Sequence, residues 1–210
     1  MGKPAGLAKK QLRALDRLKR VRSLAGFYLA GRTAIAFHLG HRRSLDLDLF
    51  SAKKGTDLVA VQRSLARLRD AEVVGVTEAT VKLKLAGEPV DLVAYPYPPL
   101  EPPTPGPSGF PVAGLLDLAV MKLAAIGRRG IRRDFWDLYA IMSAGIPLSR
   151  AGAAYCARYG VRESDLYFVA RALTYFSDAE KDPVFPDGLT KPKWREIKAF
   201  FEREAPALVS

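Results

Sequence analysis

The sequence predicts an α/β (α+β) protein: a mixed sheet flanked by helices in its first half, then a bundle of helices. Three observations carry this. Apolar segments of strand length recur up to residue 95, eight of the fifteen prolines fall between 96 and 111, and everything beyond has helical period. The expected organisation is an α/β domain over 1–95 that includes a basic N-terminal helix, a proline-rich linker or wrapping loop over 96–111, and a helical domain over 112–210.

The elements follow in order. Residues 1 to 23 hold Lys3, Lys9, Lys10, Arg13, Arg17, Lys19, Arg20 and Arg22 against Asp16 alone, while Leu12, Leu15, Leu18 and Val21 recur at helical spacing. This is an amphipathic helix whose cations are either solvated or turned toward a polyanion or a membrane surface. FYLAGRTAIAFHLG reads as a short buried segment, a glycine turn at Gly31 and a small-residue helix over about 32–39. SLDLDLF alternates like a strand, with Leu45, Leu47 and Leu49 on one face and Ser44, Asp46 and Asp48 on the other. Thr56 is placed to cap a helix reaching about Arg69. EVVGV, TVKLKL and PVDLVAY are strands, the last two joined by a hairpin at AGEP. Helices are then expected at about 114–127, 132–144, 149–159, 162–178 and 190–204.

Bulk properties narrow the classes. Of 210 residues, 49% are hydrophobic, ample for a packed core, and the net charge of +11 makes a polyanion the first partner to consider. A second basic cluster, Arg128, Arg129, Arg132 and Arg133, adds to this. A single cysteine excludes an internal disulfide framework, and no basic-then-apolar leader is visible, so a reducing cytoplasm is the expected location. The most apolar segments carry Arg32, Asp117 and Lys122 and are too short to span a bilayer.

Several residues bear chemistry. Asp46 and Asp48, two apart on a strand, have Cα atoms about 6.5–7 Å apart, which suits a divalent cation held between hard oxygen ligands, although a polar strand face in water reads the same. Asp91 lies in a run otherwise made of Val, Leu and Ala, where an ionised carboxylate needs a partner or a cation. Gly31-Arg32-Thr33 opens a helix, where free N–H groups and the positive dipole end receive phosphate. Lys122 lies on a helix apolar nearly all round and needs a counter-charge; Asp134 or Asp137 on the next helix supplies one if the two form a hairpin. His38 and His41 lack the further ligands of a zinc site, Cys156 reads as a packing residue, and Tyr155, Tyr159, Tyr167, Phe168, Tyr175 and Phe176 read as core.

Taken together, AGRTAIAFHLGHRRSLDLDLFS, PVDLVAYPYPPLEPP and DLAVMKLAAIGRRGIRRDFWDLYAI resemble the AbiEii/AbiGii toxin family of nucleotidyltransferases, relatives of the DNA polymerase β superfamily. The resemblance runs over about residues 28–141. It implies that Asp46, Asp48 and Asp91 bind Mg²⁺ (or Mn²⁺) and act in catalysis. It also implies that Lys122 contacts the triphosphate, that Asp134 completes the catalytic set, and that Gly31, Arg32, Thr33 and Ser44 line the nucleotide. The family shows Gly-Gly-Thr where this chain has Gly31-Arg32-Thr33, so the guanidinium either restrains close approach of phosphate or replaces a contact.

The activity implied is transfer of a nucleoside monophosphate from an NTP to an acceptor hydroxyl, with the tRNA 3′ end as acceptor and a cognate antitoxin as partner. Two rivals use the same residues. A non-catalytic scaffold binding RNA or protein keeps the basic surface without metal-dependent NTP binding, and a metal-dependent nuclease directs the same acids at phosphodiesters.

Overall fold

The computed structural model describes residues 7–183 and 185–209; Lys3, within the basic N-terminal run, lies outside them. The chain divides into two compact units, Met1–Gly114 and Leu115–Ser210.

The first unit is built on a seven-stranded mixed sheet. Its elements are α1 (Lys9–Lys19), β1 (Phe27–Ala30), α2 (Gly31–Leu39), β2 (Leu47–Ser51), α3 (Leu58–Leu65), β3 (Ala71–Val76), β4 (Thr80–Leu85), β5 (Glu88–Ala94), β6 (Thr104–Pro105) and β7 (Pro111–Val112). The strand order is β3-β4-β5-β2-β1-β7-β6. Strand β2 lies in the interior, antiparallel to β1 and parallel to β5. The β4–β5 hairpin turns on Ala86 and Gly87, both at positive φ (52° and 83°), the backbone that a two-residue turn matching the strand twist requires.

The proline-rich stretch contributes to this sheet. Val112 pairs with Leu29 of β1, and Pro105 pairs with Pro111 at the end of the sheet. Proline is tolerated there because an outer strand has N–H positions that no ladder bond needs.

Three local features differ from expectation, each for a physical reason. The acidic strand starts at Leu47, so Leu45 lies outside the ladder and is 81% exposed, whereas Leu47 and Leu49 are buried. Helix α3 is capped by Asp57, whose carboxylate accepts from the Ala60 N–H at 2.9 Å, because the Thr56 hydroxyl donates instead to the Lys53 carbonyl. Lastly, Tyr167 and Phe168 are exposed, since the inner face of their helix is taken by Leu166, Val169, Ala170 and Leu173 at spacings of three and four, and Tyr175, just past the helix end, is exposed too.

The second unit is helical: α4 (Leu115–Arg129), α5 (Arg132–Ser143), α6 (Leu148–Tyr159), α7 (Leu166–Thr174), α8 (Ser177–Lys181) and α9 (Lys191–Glu204). Helix α4 packs against α5, α6 and α7. Phe135, Phe176, Trp194 and Phe201 form an aromatic cluster with centroids 5.3–5.9 Å apart, tilted between Phe135 and Phe176 and edge-to-face in the other contacts.

Charge is buried in this bundle as well. The Arg158 guanidinium donates to Asp117 at 2.6 Å, with both side chains at most 1% exposed. Lys122 lies 2.7 Å from carboxylate oxygens of both Asp134 and Asp137, and Arg129 donates to Asp134 at 2.9 Å. Burial alone raises the affinity of the Asp134 carboxyl for a proton, but Lys122 and Arg129 outweigh it and hold the carboxyl below the ordinary range. The unfolded chain therefore takes up this proton first as pH falls. The stabilisation is complete above about pH 4 and is lost as pH drops through the lower, folded value. Urea titrations from pH 7 to pH 2 are expected to show the stability gap between the native chain and Asp134→Asn closing below pH 4; a constant gap would place the stabilisation elsewhere.

Candidate active site

The site grows from one bend in the chain. Strand β1 ends at Ala30, and the next residue, Gly31, opens α2 at φ +61°. Ala30 is the register partner of Asp48 across the β1–β2 ladder. A Cβ on Gly31 would stand 2.3 Å from Asp48 Oδ2, so the Asp48 carboxylate lies directly over the glycine. Two independent constraints, the left-handed backbone and the absence of space, therefore demand glycine here.

On the other side of β2, Asp48 pairs in register with Asp91 of β5. In parallel neighbours, residues in register point to the same face about 4.8 Å apart, so two carboxylates remote in sequence share one surface. Asp46 precedes the strand and adds the third. The Asp91 carboxyl is pushed up by burial and by the negative field of Asp46, while Lys82, 3.9 Å away, and Arg32 oppose the shift. Asp46 and Asp91 thus feel each other's charge, as do Arg32 and Asp91.

Asp46 is held by a polar network. Thr33, fully buried, donates to Ser44 Oγ at 2.7 Å and also reaches the Asp46 carbonyl; Ser44 Oγ donates to Asp46 Oδ1 at 3.2 Å. Beneath them, the Gln11 side-chain amide donates to the Ser44 carbonyl at 3.0 Å, while its oxygen accepts from the Ala8 N–H. Thr33 and Ser44, expected to line the nucleotide, direct these bonds at the acidic turn and fix the position of Asp46. Gln11 is the residue that sequence reasoning missed. Its signal was a single amide within the apolar stripe of an otherwise basic helix.

The guanidinium of Arg32 pairs with Asp46 Oδ2, the two side chains being 25% and 22% exposed. The donor set of Asp46, Asp48 and Asp91 is three hard oxygen ligands around a negative field, chemistry that fits a divalent cation. As the side chains stand, with Arg32 drawn onto Asp46, no three His, Cys, Asp or Glu among the described residues are in metal-holding geometry. His38 instead bonds the Ala113 carbonyl through Nε2 at 2.8 Å. Burial and the nearby Glu163 and Asp165 raise the Cys156 thiol above its ordinary value, which leaves it a poor nucleophile.

A family model for the nucleotidyl transferase AbiEii toxin of type IV toxin–antitoxin systems matches residues 13–208. The chain belongs to the AbiEii nucleotidyl transferase toxin family. As an AbiEii protein it is a nucleotidyltransferase, an enzyme class that generally works on an NTP with a divalent metal. An uncharacterized protein of Aquifex aeolicus (strain VF5) is 33% identical over 201 residues, covering 94% of this chain and 95% of the relative. MenT4, a nucleotidyltransferase toxin of Mycobacterium tuberculosis H37Rv, superposes with a TM-score of 0.53 at 16% identity, over 96% of this chain and 93% of its own. JHP933 of Helicobacter pylori gives 0.51 at 19% identity, over 97% and 95%. These two likenesses concern the fold alone. Among the described residues of this AbiEii chain, no helix is long and apolar enough to cross a membrane.

The Gly31 bend gives a direct prediction. Gly31→Ala adds left-handed strain of about 1–2 kcal/mol and drives a methyl group into the Asp48 carboxylate. Nucleotidyl transfer is expected to fall at least about tenfold in a protein that circular dichroism shows to be folded. Unchanged turnover would mean that the Asp48 position is not used.

Proposed function

We propose that this AbiEii toxin moves a nucleoside monophosphate from an NTP onto the 3′-terminal hydroxyl of a tRNA, using Asp46, Asp48 and Asp91 as the acidic site. The observation that carries the reading is the in-register pairing of Asp48 with Asp91 beside the Gly31 bend, with Asp46 near enough to shift Asp91. Asp46, Asp48 and Asp91 would hold Mg²⁺ (or Mn²⁺), which would supply Lewis-acid charge for phosphoryl transfer.

The chain's own residues do the rest. N–H groups at the start of α2 receive phosphate oxygens, while Gly31 leaves room for the Asp48 carboxylate beside them. Asp91, whose carboxyl favours a proton more than an ordinary one, accepts the proton of the acceptor hydroxyl. The acceptor oxygen bonds to the α-phosphorus as the bond to pyrophosphate breaks. Gln11, Thr33 and Ser44 keep Asp46 in position. Lys122, expected to contact the triphosphate, is held at 2.7 Å by both Asp134 and Asp137 within the helical unit.

The tRNA acceptor is what the family resemblance implies, and surface charge is consistent with an RNA partner. Lys9, Lys10, Arg13, Lys19 and Arg20 are exposed on α1, whose inner face is anchored to the acidic turn through Gln11. Such a face binds phosphates without reading bases, and its affinity falls with salt. The family's type IV systems place a cognate antitoxin among the partners, and the lone cysteine and tRNA substrate fit the cytoplasm.

The test is incubation of the protein with total tRNA and each α-labelled NTP in turn, read by gel and by mass. Lengthening of tRNA with release of pyrophosphate is the expected result. Shortening would identify a nuclease, and absence of both labelling and metal-dependent NTP binding would identify a scaffold.

A further inference from the structure

We infer that Arg32 is an internal counter-ion of the acidic site, which occupies Asp46 until a divalent cation displaces it and thereby makes cation loading depend on nucleotide. This rests on the assignment of Asp46, Asp48 and Asp91 as the metal-holding carboxylates.

The geometry supports each step. Arg32 is the second residue of α2, directly after the Gly31 bend, and its guanidinium reaches across to Asp46 Oδ2. Ser44 Oγ approaches the other oxygen, Oδ1. Asp46 therefore has a donor on each oxygen, so a cation seeking Oδ2 must first remove a positively charged group. Removal is feasible because both partners are about a quarter exposed, unlike the sealed Arg158–Asp117 pair. A single delocalised charge on one carboxylate serves a three-carboxylate cluster less completely than a divalent ion in contact with all three.

The displaced guanidinium stays tethered at the start of α2. That is where free N–H groups favour phosphate, and a planar fork of N–H donors binds phosphate oxygens in pairs. Nucleotide phosphate thus offers Arg32 a second partner at the moment the cation claims Asp46. The same side chain opposes the cation alone and supports cation and nucleotide together, a coupling that is reciprocal by linkage.

The experiment titrates Mn²⁺ alone, followed by electron paramagnetic resonance of the free ion, and then a non-hydrolysable NTP analogue at saturating Mn²⁺, followed by calorimetry. Five proteins are compared: native, Arg32→Gln, Arg32→Gly as a second neutral variant, Arg32→Lys and Asp46→Asn. Loss of the guanidinium charge in Arg32→Gln and Arg32→Gly is expected to tighten Mn²⁺ binding about threefold to tenfold, the scale for removing one partly screened charge. Analogue affinity in the same variants is expected to weaken by a similar factor, and Arg32→Lys to keep the native Mn²⁺ affinity. Unchanged or weaker Mn²⁺ binding in both neutral variants overturns the inference. The two readings fail separately. If Asp46→Asn loses Mn²⁺ while the neutral Arg32 variants match the native protein, only the counter-ion role falls; if Asp46→Asn binds Mn²⁺ as the native protein does, the acidic-site assignment falls with it.

Discussion

Asp48→Asn is expected to lower nucleotidyl transfer by about 10³-fold or more while leaving the protein folded. The side chain keeps its shape, so packing over Gly31 survives, but one of two adjacent in-register carboxylates loses its charge. Charge stabilisation at a phosphoryl centre is worth several kcal/mol, and each 1.4 kcal/mol or so is tenfold in rate. The fold should tolerate the change well. Carboxylates sharing a face repel, so neutralising one relieves repulsion in the protein alone. The decisive comparison is turnover of labelled NTP beside a urea unfolding curve. Full activity with native stability would remove Asp48 from the mechanism, and lost activity with a collapsed unfolding midpoint would make it structural.

The second large effect is on stability. Arg158→Met is expected to cost about 3–5 kcal/mol, because it leaves the Asp117 carboxylate, 1% exposed, without the guanidinium that lies 2.6 Å away. Changing both residues together, Arg158→Met with Asp117→Leu, should recover most of the loss, since a well-packed apolar pair of similar volume is often as stable as a buried ion pair. Urea unfolding of the two single variants and the double variant measures this directly. Additive losses in the double variant would show that each residue is held by other contacts and that the pair itself contributes little.

Both predictions depend on residues whose chemical type was legible in the sequence and whose partners were not. The aspartates at 46, 48 and 91 stood out because each sits in an apolar or alternating run where a charge needs a reason. Gly31 stood out as a break before a helix, and Lys122 as a charge on an apolar helix. The counter-charges of Lys122, namely Asp134 and Asp137, were expected on the next helix; other partners came from elsewhere. Arg158 carried no sequence signal linking it to Asp117, forty-one positions away, and Gln11 none linking it to Ser44. Leu45 alternates with Leu47 and Leu49, yet it lies in solvent because periodicity alone does not say where a ladder begins.

The sequence by itself determined the class of most segments, the hairpin at Ala86-Gly87, the glycine turn before α2, and the family. Those are set by side-chain alternation, backbone sterics and ordered motifs, which act over a few neighbouring residues or leave a fixed pattern in the chain. Tertiary structure decided that β2 lies beside β5 in the register that brings Asp48 to Asp91, that Arg32 turns onto Asp46, and that Lys122 meets two carboxylates. Strand register and the choice of ion-pair partner follow from how the whole core packs, since a slip of one residue would exchange the faces of β2 and carry Asp48 away from Asp91.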